Sequence, residues 1–159
     1  MITDSRAICR YVAEKYVGQG NKDLLGSGTL ERASIEQWLQ TEAESFDPPS
    51  SLLVFHLAFA PHAGLEPDEI AVKESKRRLE RVLNIYEQRL EETNYLAGDK
   101  FTLADLSHLP NAHRLITKVP ECATLFKERK RVNKWWEAIS SRPSWRRVAE
   151  MQQEARAEV

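Results

Sequence analysis

Apolar residues along this chain recur at three- and four-residue intervals. Nowhere do β-branched or aromatic residues alternate with polar ones over a strand's length between turn signals. The expected fold class is therefore all-α, a helical bundle with short connections. A first helix is expected from about residue 4 to residue 16, with Ile8, Tyr11, Val12 and Tyr16 on one face. Gly18, Gly20 and Gly28 then punctuate a linker anchored by Leu24 and Leu25. It has neither a preceding strand nor the Lys-Ser/Thr ending of a phosphate loop. A second helix from near Thr29 places Ile35, Trp38, Leu39, Glu42 and Phe46 together. Asp47-Pro48-Pro49 should interrupt it with a kink, because proline lacks the donor and clashes with the preceding turn. The helix can resume over residues 50–59, until Pro61 and Gly64 stop it.

A third helix is expected to start near Pro67-Asp68, where proline and an acid suit a helix N-terminus. Its apolar stripe is Val72, Ser75, Leu79, Val82, Leu83, Tyr86 and Leu90. Lys76, Arg77, Glu80, Glu87 and Arg89 form a solvated opposite face of mixed sign. Thr102 is a predicted N-cap with Asp105 three residues on, a short-armed capping box, and Phe101 and Leu106 are spaced for a hydrophobic staple. Leu106, Leu109, His113 and Ile116 then line one helix that Pro110 should bend. A turn or short helix over residues 119–127 precedes a helix carrying Val132, Trp135, Trp136 and Ile139. The chain breaks and restarts at Arg142-Pro143, and the polar tail from Gln152 is expected to fray.

Composition narrows the chemistry mainly by exclusion. With 159 residues, 42% of them hydrophobic, the chain can build one core. A formal net charge of −1 gives no support for nucleic-acid or anionic-membrane binding. No apolar run is long enough for a membrane span, no signal-peptide pattern opens the chain, and the cytoplasm is the expected location. Cys9 and Cys122 are too few for a disulfide framework and are expected to sit as small apolar residues. His56, His62, His108 and His113 show no metal-ligand spacing, and neither a metal site nor a catalytic constellation is predicted.

Several segments in order carry a resemblance. They are Asp4-Ser5-Arg6-Ala7-Ile8 with Tyr11-Val12-Ala13, Phe46-Asp47-Pro48, and Tyr95-Leu96-Ala97-Gly98 with Phe101-Thr102-Leu103-Ala104-Asp105-Leu106. Ser107-His108-Leu109-Pro110, Val132 to Trp136 and Arg142-Pro143-Ser144-Trp145 follow. Together they resemble the plant-type phi class of glutathione S-transferases. The match covers nearly the whole chain, and the set that includes the "FDP" and "SHLP" segments is specific to that class.

The resemblance implies a C-terminal helical domain over residues 29–159, a linker over 18–28, and over 1–17 the last helix of the thioredoxin-like domain that binds glutathione. The rest of that domain, with the serine that stabilises the thiolate, has no counterpart here. Glutathione is the implied co-substrate, and a hydrophobic or amphipathic electrophile the second substrate. Asp4 and Ser5 would hold the γ-glutamyl amine and carboxylate; alternatively they only cap the helix. Phe55, Phe59, His62, Ala63 and Arg114 would line the electrophile pocket, with Arg114 making it more polar than in relatives that place an aromatic there. Phe55 and Phe59 could equally be plain core. The chain alone is expected to be inactive, a homodimer or self-associated through faces carrying Tyr11, Trp38 and Phe59. The rival expectation is a non-catalytic helical module for binding or assembly.

Overall fold

The structure, a computed structural model, describes the backbone of residues 2–157 and the side chains of residues 2–154. Its helices are α1 (Ser5–Lys15), α2 (Thr29–Thr41), α3 (Asp47–Val54), α4 (Glu69–Glu92), α5 (Leu103–Leu106), α6 (Leu109–Lys118), α7 (Pro120–Lys127), α8 (Lys130–Ser140) and α9 (Pro143–Ala157). No strand occurs among the described residues, as the helical spacing requires. None of the described helices is long and apolar enough to cross a membrane.

The long second helix is not broken at the prolines. The chain passes from α2 through a π-helical turn at Glu42–Phe46 directly into α3. The Asp47 N–H bonds five residues back to the Glu42 carbonyl, and Pro48 and Pro49 then occupy the first turn of a renewed α register, where no donor is needed. A wider turn thus absorbs the missing donors without ending the helix. A second π turn at Phe55–Phe59 and a 3₁₀ turn at Ala60–Ala63 carry the helix on to Gly64, whose φ of 70° ends it.

Other boundaries shift for similar reasons. Pro67 lies just outside α4, and Asp68 is the cap, accepting from the Ile70 and Ala71 N–H groups at 3.0 Å each. Pro110 does not bend a continuous helix. The chain turns at Ser107–His108, and Pro110 falls in the first turn of a fresh helix. From Gln152, where fraying was expected, the backbone continues as helix α9 to Ala157; Glu158 and Val159, like Met1, lie outside the described residues.

The core gathers around an aromatic cluster. Trp38, Phe46, His108 and Trp135 surround Tyr86, with ring centroids 5.3–6.3 Å from it. The predicted stripe of α8 is buried, as is that of α4 apart from the half-buried Val72, and Trp38 is buried too, which removes it from the expected exposed faces. The opposite side of α4 is not simply solvated. Glu87 accepts from the Arg131 and Val132 N–H groups at 2.9 Å, closing the open start of α8. Arg89 donates to the Leu96 carbonyl at 3.0 Å. By contrast α1 buries no residue: Ile8, Tyr11, Val12 and Tyr16 are all exposed.

Candidate functional site

The most spacious cavity described, about 530 Å³, opens between the far end of the second helix, α6 and α9. The second π turn after α3 supplies Leu57, Ala58 and Phe59, and the 3₁₀ turn that follows supplies His62. One side of α6 supplies His113, Arg114, Thr117 and Lys118, and α9 adds Ala149, Gln152 and Gln153. Phe59 is 43% exposed, so it is a wall and not core. The Arg114 guanidinium lies 5.7 Å from the Phe59 ring centroid, a cation held over an aromatic face. Of the residues expected here, Phe59, His62 and Arg114 line the cavity. Phe55 and Ala63 do not: Phe55 is half exposed with its ring against His56, because one helical turn carries it past the cavity's edge. Lys118, four residues after Arg114, was open to detection by helical spacing; Gln152 and Gln153 carried no local signal.

His113 packs edge-on against Trp145, with centroids 5.5 Å apart. Burial, assisted by the charges of Lys118 and Arg114, holds the His113 imidazole below its ordinary pKa, so it is neutral at neutral pH. The Thr117 hydroxyl donates to the His113 carbonyl at 2.7 Å.

A second polar centre lies at the start of α1. Asp4 Oδ1 accepts from the Ala7 N–H at 2.8 Å, so Asp4 is the helix cap, and Ser5 opens the helix on the exposed surface. One residue on, Arg6 reaches across to Glu42 at 2.7 Å and to Asp47 at 3.2 Å. Asn111 and Ser51 complete the set, donating to Asp47 Oδ1 at 2.7 and 2.9 Å. Pairing with Glu42 raises the Arg6 pKa. Burial also raises that of Glu42, against the pull of Arg6, since the carboxylate is far more enclosed than its partner. These contacts, with Arg10–Glu36 at 2.6 Å and the half-buried Cys9 and Ala13 packed against the core, tie α1 to the bundle.

Residues 46–143 match the family profile described as glutathione S-transferase, C-terminal domain. The Arabidopsis thaliana protein glutathione S-transferase F10 is 48% identical over 148 residues, covering 93% of this chain and 68% of that one. The chain belongs to the glutathione S-transferase family. Its relatives place it in the plant phi class. The crystal structure of glutathione transferase F2 from Populus trichocarpa superposes with a TM-score of 0.93 at 50% identity, covering 96% of this chain and 71% of that one. The maize glutathione S-transferase I in complex with an atrazine glutathione conjugate aligns with a TM-score of 0.87 at 31% identity, over 96% and 69%. The chain thus spans about two-thirds of the length of these glutathione S-transferases.

Two buried groups in this glutathione S-transferase domain were under-read from sequence. Asp105 Oδ2 accepts from the Thr102 N–H at 3.0 Å and from the Thr102 hydroxyl at 3.3 Å, while Thr102 Oγ1 accepts from the Ala104 N–H at 3.3 Å. Its other oxygen accepts from the Leu96 N–H at 3.1 Å and the Trp135 indole N–H at 2.9 Å, making the capping box a hub. His108 places Nδ1 2.8 Å from the Ala104 carbonyl and Nε2 2.8 Å from the Tyr86 hydroxyl. A carbonyl only accepts, so Nδ1 carries the proton and Tyr86 donates to Nε2. Full burial pushes His108 down to about 3, and it stays neutral. Cys122 is buried and pushed up to about 11, and Cys9 is half buried and also raised, so neither is a ready nucleophile. Among the described residues no three His, Cys, Asp or Glu side chains gather as a metal site.

Proposed function

We propose that this chain carries the electrophile-binding part of a phi-class glutathione S-transferase, which joins the glutathione thiolate to an electrophilic small molecule. The observation that carries the reading is the 530 Å³ cavity walled by Phe59, His62 and Arg114, apolar on one side and polar on the other. Residues 29–159 form the helical domain, 18–28 the linker, and 1–17 the last helix of the glutathione-binding domain. Asp4 caps α1 through Oδ1 alone, which leaves Oδ2 for the ammonium of a γ-glutamyl group. The Ser5 hydroxyl and the free N–H groups at the helix start suit the carboxylate of the same group. Capping and binding are then compatible roles.

Thiol activation falls to residues outside this cavity. Among the described residues its one lining hydroxyl, Thr117, has its proton committed to a carbonyl, and the resemblance assigns that task to a serine of the glutathione-binding domain. The acceptor is hydrophobic or amphipathic, the assembly a homodimer and the compartment the cytoplasm. Calorimetric titration with S-(2,4-dinitrophenyl)glutathione tests the cavity. Binding that Phe59→Ala weakens roughly tenfold, the loss of one well-packed aromatic contact, supports the reading. Binding indifferent to Phe59 leaves the alternative, a non-catalytic helical module.

A further inference from the structure

We propose that the cavity prefers acceptors bearing an anionic group, a carboxylate or sulfonate on an aromatic or aliphatic body, and that Arg114 and Lys118 hold that group. The proposal rests on the reading of this cavity as the acceptor site. Leu57, Ala58 and Phe59 form its apolar wall, and Arg114 and Lys118 face it one helical turn apart on α6. Among the described residues no carboxylate lines the cavity. Of the acids close in sequence on α7 and α9, Glu150 and Glu154 lie 3.5 and 3.4 Å from Arg147, and Glu121 pairs with Lys76. Neither Arg114 nor Lys118 makes an ion pair among the described residues. His113, lowered first by burial and further by these two charges, adds no positive charge of its own at neutral pH.

Two such cations beside an apolar wall repel each other, and the low-dielectric surface strengthens the field they project into the cleft. An anion at the rim relieves the repulsion while its body covers Phe59. The Arg114 guanidinium, 5.7 Å from the centroid of that ring, is planar and can offer a carboxylate or sulfonate two donors at once.

The 159-residue chain is titrated with 8-anilinonaphthalene-1-sulfonate and with N-phenyl-1-naphthylamine, the same skeleton without the charge. The Trp145 indole N–H resonance reports on this cavity, since that ring packs on His113, and not on the exposed stripe of α1. The expected result is that the sulfonate binds roughly 10–100-fold more tightly, as a charge-assisted contact implies. Arg114→Gln with Lys118→Gln, or high salt, abolishes the difference, and Arg114→Lys keeps part of it. Equal affinity for both probes, or a preference untouched by the double substitution, overturns the proposal while leaving the acceptor cavity standing. If neither probe shifts Trp145, the acceptor-site reading falls with it.

Discussion

Replacing Asp105 with alanine should be among the most damaging single substitutions in this fold, although the sequence offers it only as a helix cap. Its carboxylate is 0% exposed, and its partners Leu96 and Trp135 are 0% and 2% exposed. Alanine strands the Leu96 N–H and the Trp135 indole N–H away from water, at about 1–3 kcal/mol each. It also removes the return bond to the Thr102 N–H, the reciprocal half of a capping box of which each half contributes about 1 kcal/mol. Against this, burial raises the Asp105 pKa, so removing the carboxylate recovers part of its desolvation cost. The net expectation is about 3–5 kcal/mol of destabilisation. At about 2–4 °C per kcal/mol for a domain of this size, the Tm falls roughly 10 °C. Thermal and urea melting followed by far-ultraviolet circular dichroism measures it, with exposed Lys73→Ala as the reference. Asp105→Asn should rescue only in part, because its amide presents donors to one set of donors. If Asp105→Ala melted within about 1 °C of Lys73→Ala, where surface changes fall, the hub would hold nothing together.

Three further outcomes follow from the same geometry. Thr102→Ala loses one capping acceptor and should cost about 0.5–2 kcal/mol, less than Asp105→Ala; the reverse order in the same melts would contradict the bond assignment. His108 is lowered to about 3 in the fold from 6.5, so its contribution is fully present above pH 6.5 and is lost as pH falls toward 3. That loss reaches about 4–5 kcal/mol, and the raised carboxyls of Asp105 and Glu42, which bind protons more readily when folded, oppose part of it. Stability should therefore fall from pH 7 to 5, and His108→Gln, which keeps a donor and an acceptor without titrating, should flatten the slope; equal slopes would remove His108 as the cause. Finally, the exposed Ile8, Tyr11, Val12 and Tyr16 face should drive self-association of the isolated 159-residue chain, read by light scattering. A monomer at high concentration would show that this face tolerates water.

What was legible in the sequence was local. The stripes of α4 and α8 and the capping at Thr102 follow from spacing, because residues three and four apart meet on one face wherever the helix docks. The prolines at 48, 49 and 110 announced missing donors but not the remedy, since a π turn or a fresh start serves equally and tertiary packing decides between them. Bonds between distant residues were not legible. Asp105 to Trp135, His108 to Tyr86 and Arg6 to Glu42 join positions 30, 22 and 36 apart, and only the packed bundle brings them together. In the cavity, Phe59, His62 and Arg114 were identified through the resemblance. Phe55 and Ala63, named with them, lie outside its lining, at the start of the π turn and at the end of the 3₁₀ turn that flank it.

The central claim is that this chain supplies the acceptor pocket and another segment supplies the activated thiol. Fusing the first third of the Arabidopsis thaliana relative F10 ahead of α1 and measuring conjugation of glutathione to 1-chloro-2,4-dinitrobenzene tests it most directly. The account predicts turnover by the fusion, none by the 159-residue chain alone, and a KM for the electrophile that rises with Phe59→Ala while the KM for glutathione holds. Steady turnover by the chain alone, in protein free of host transferases, would contradict it. So would a fusion whose electrophile KM ignores Phe59.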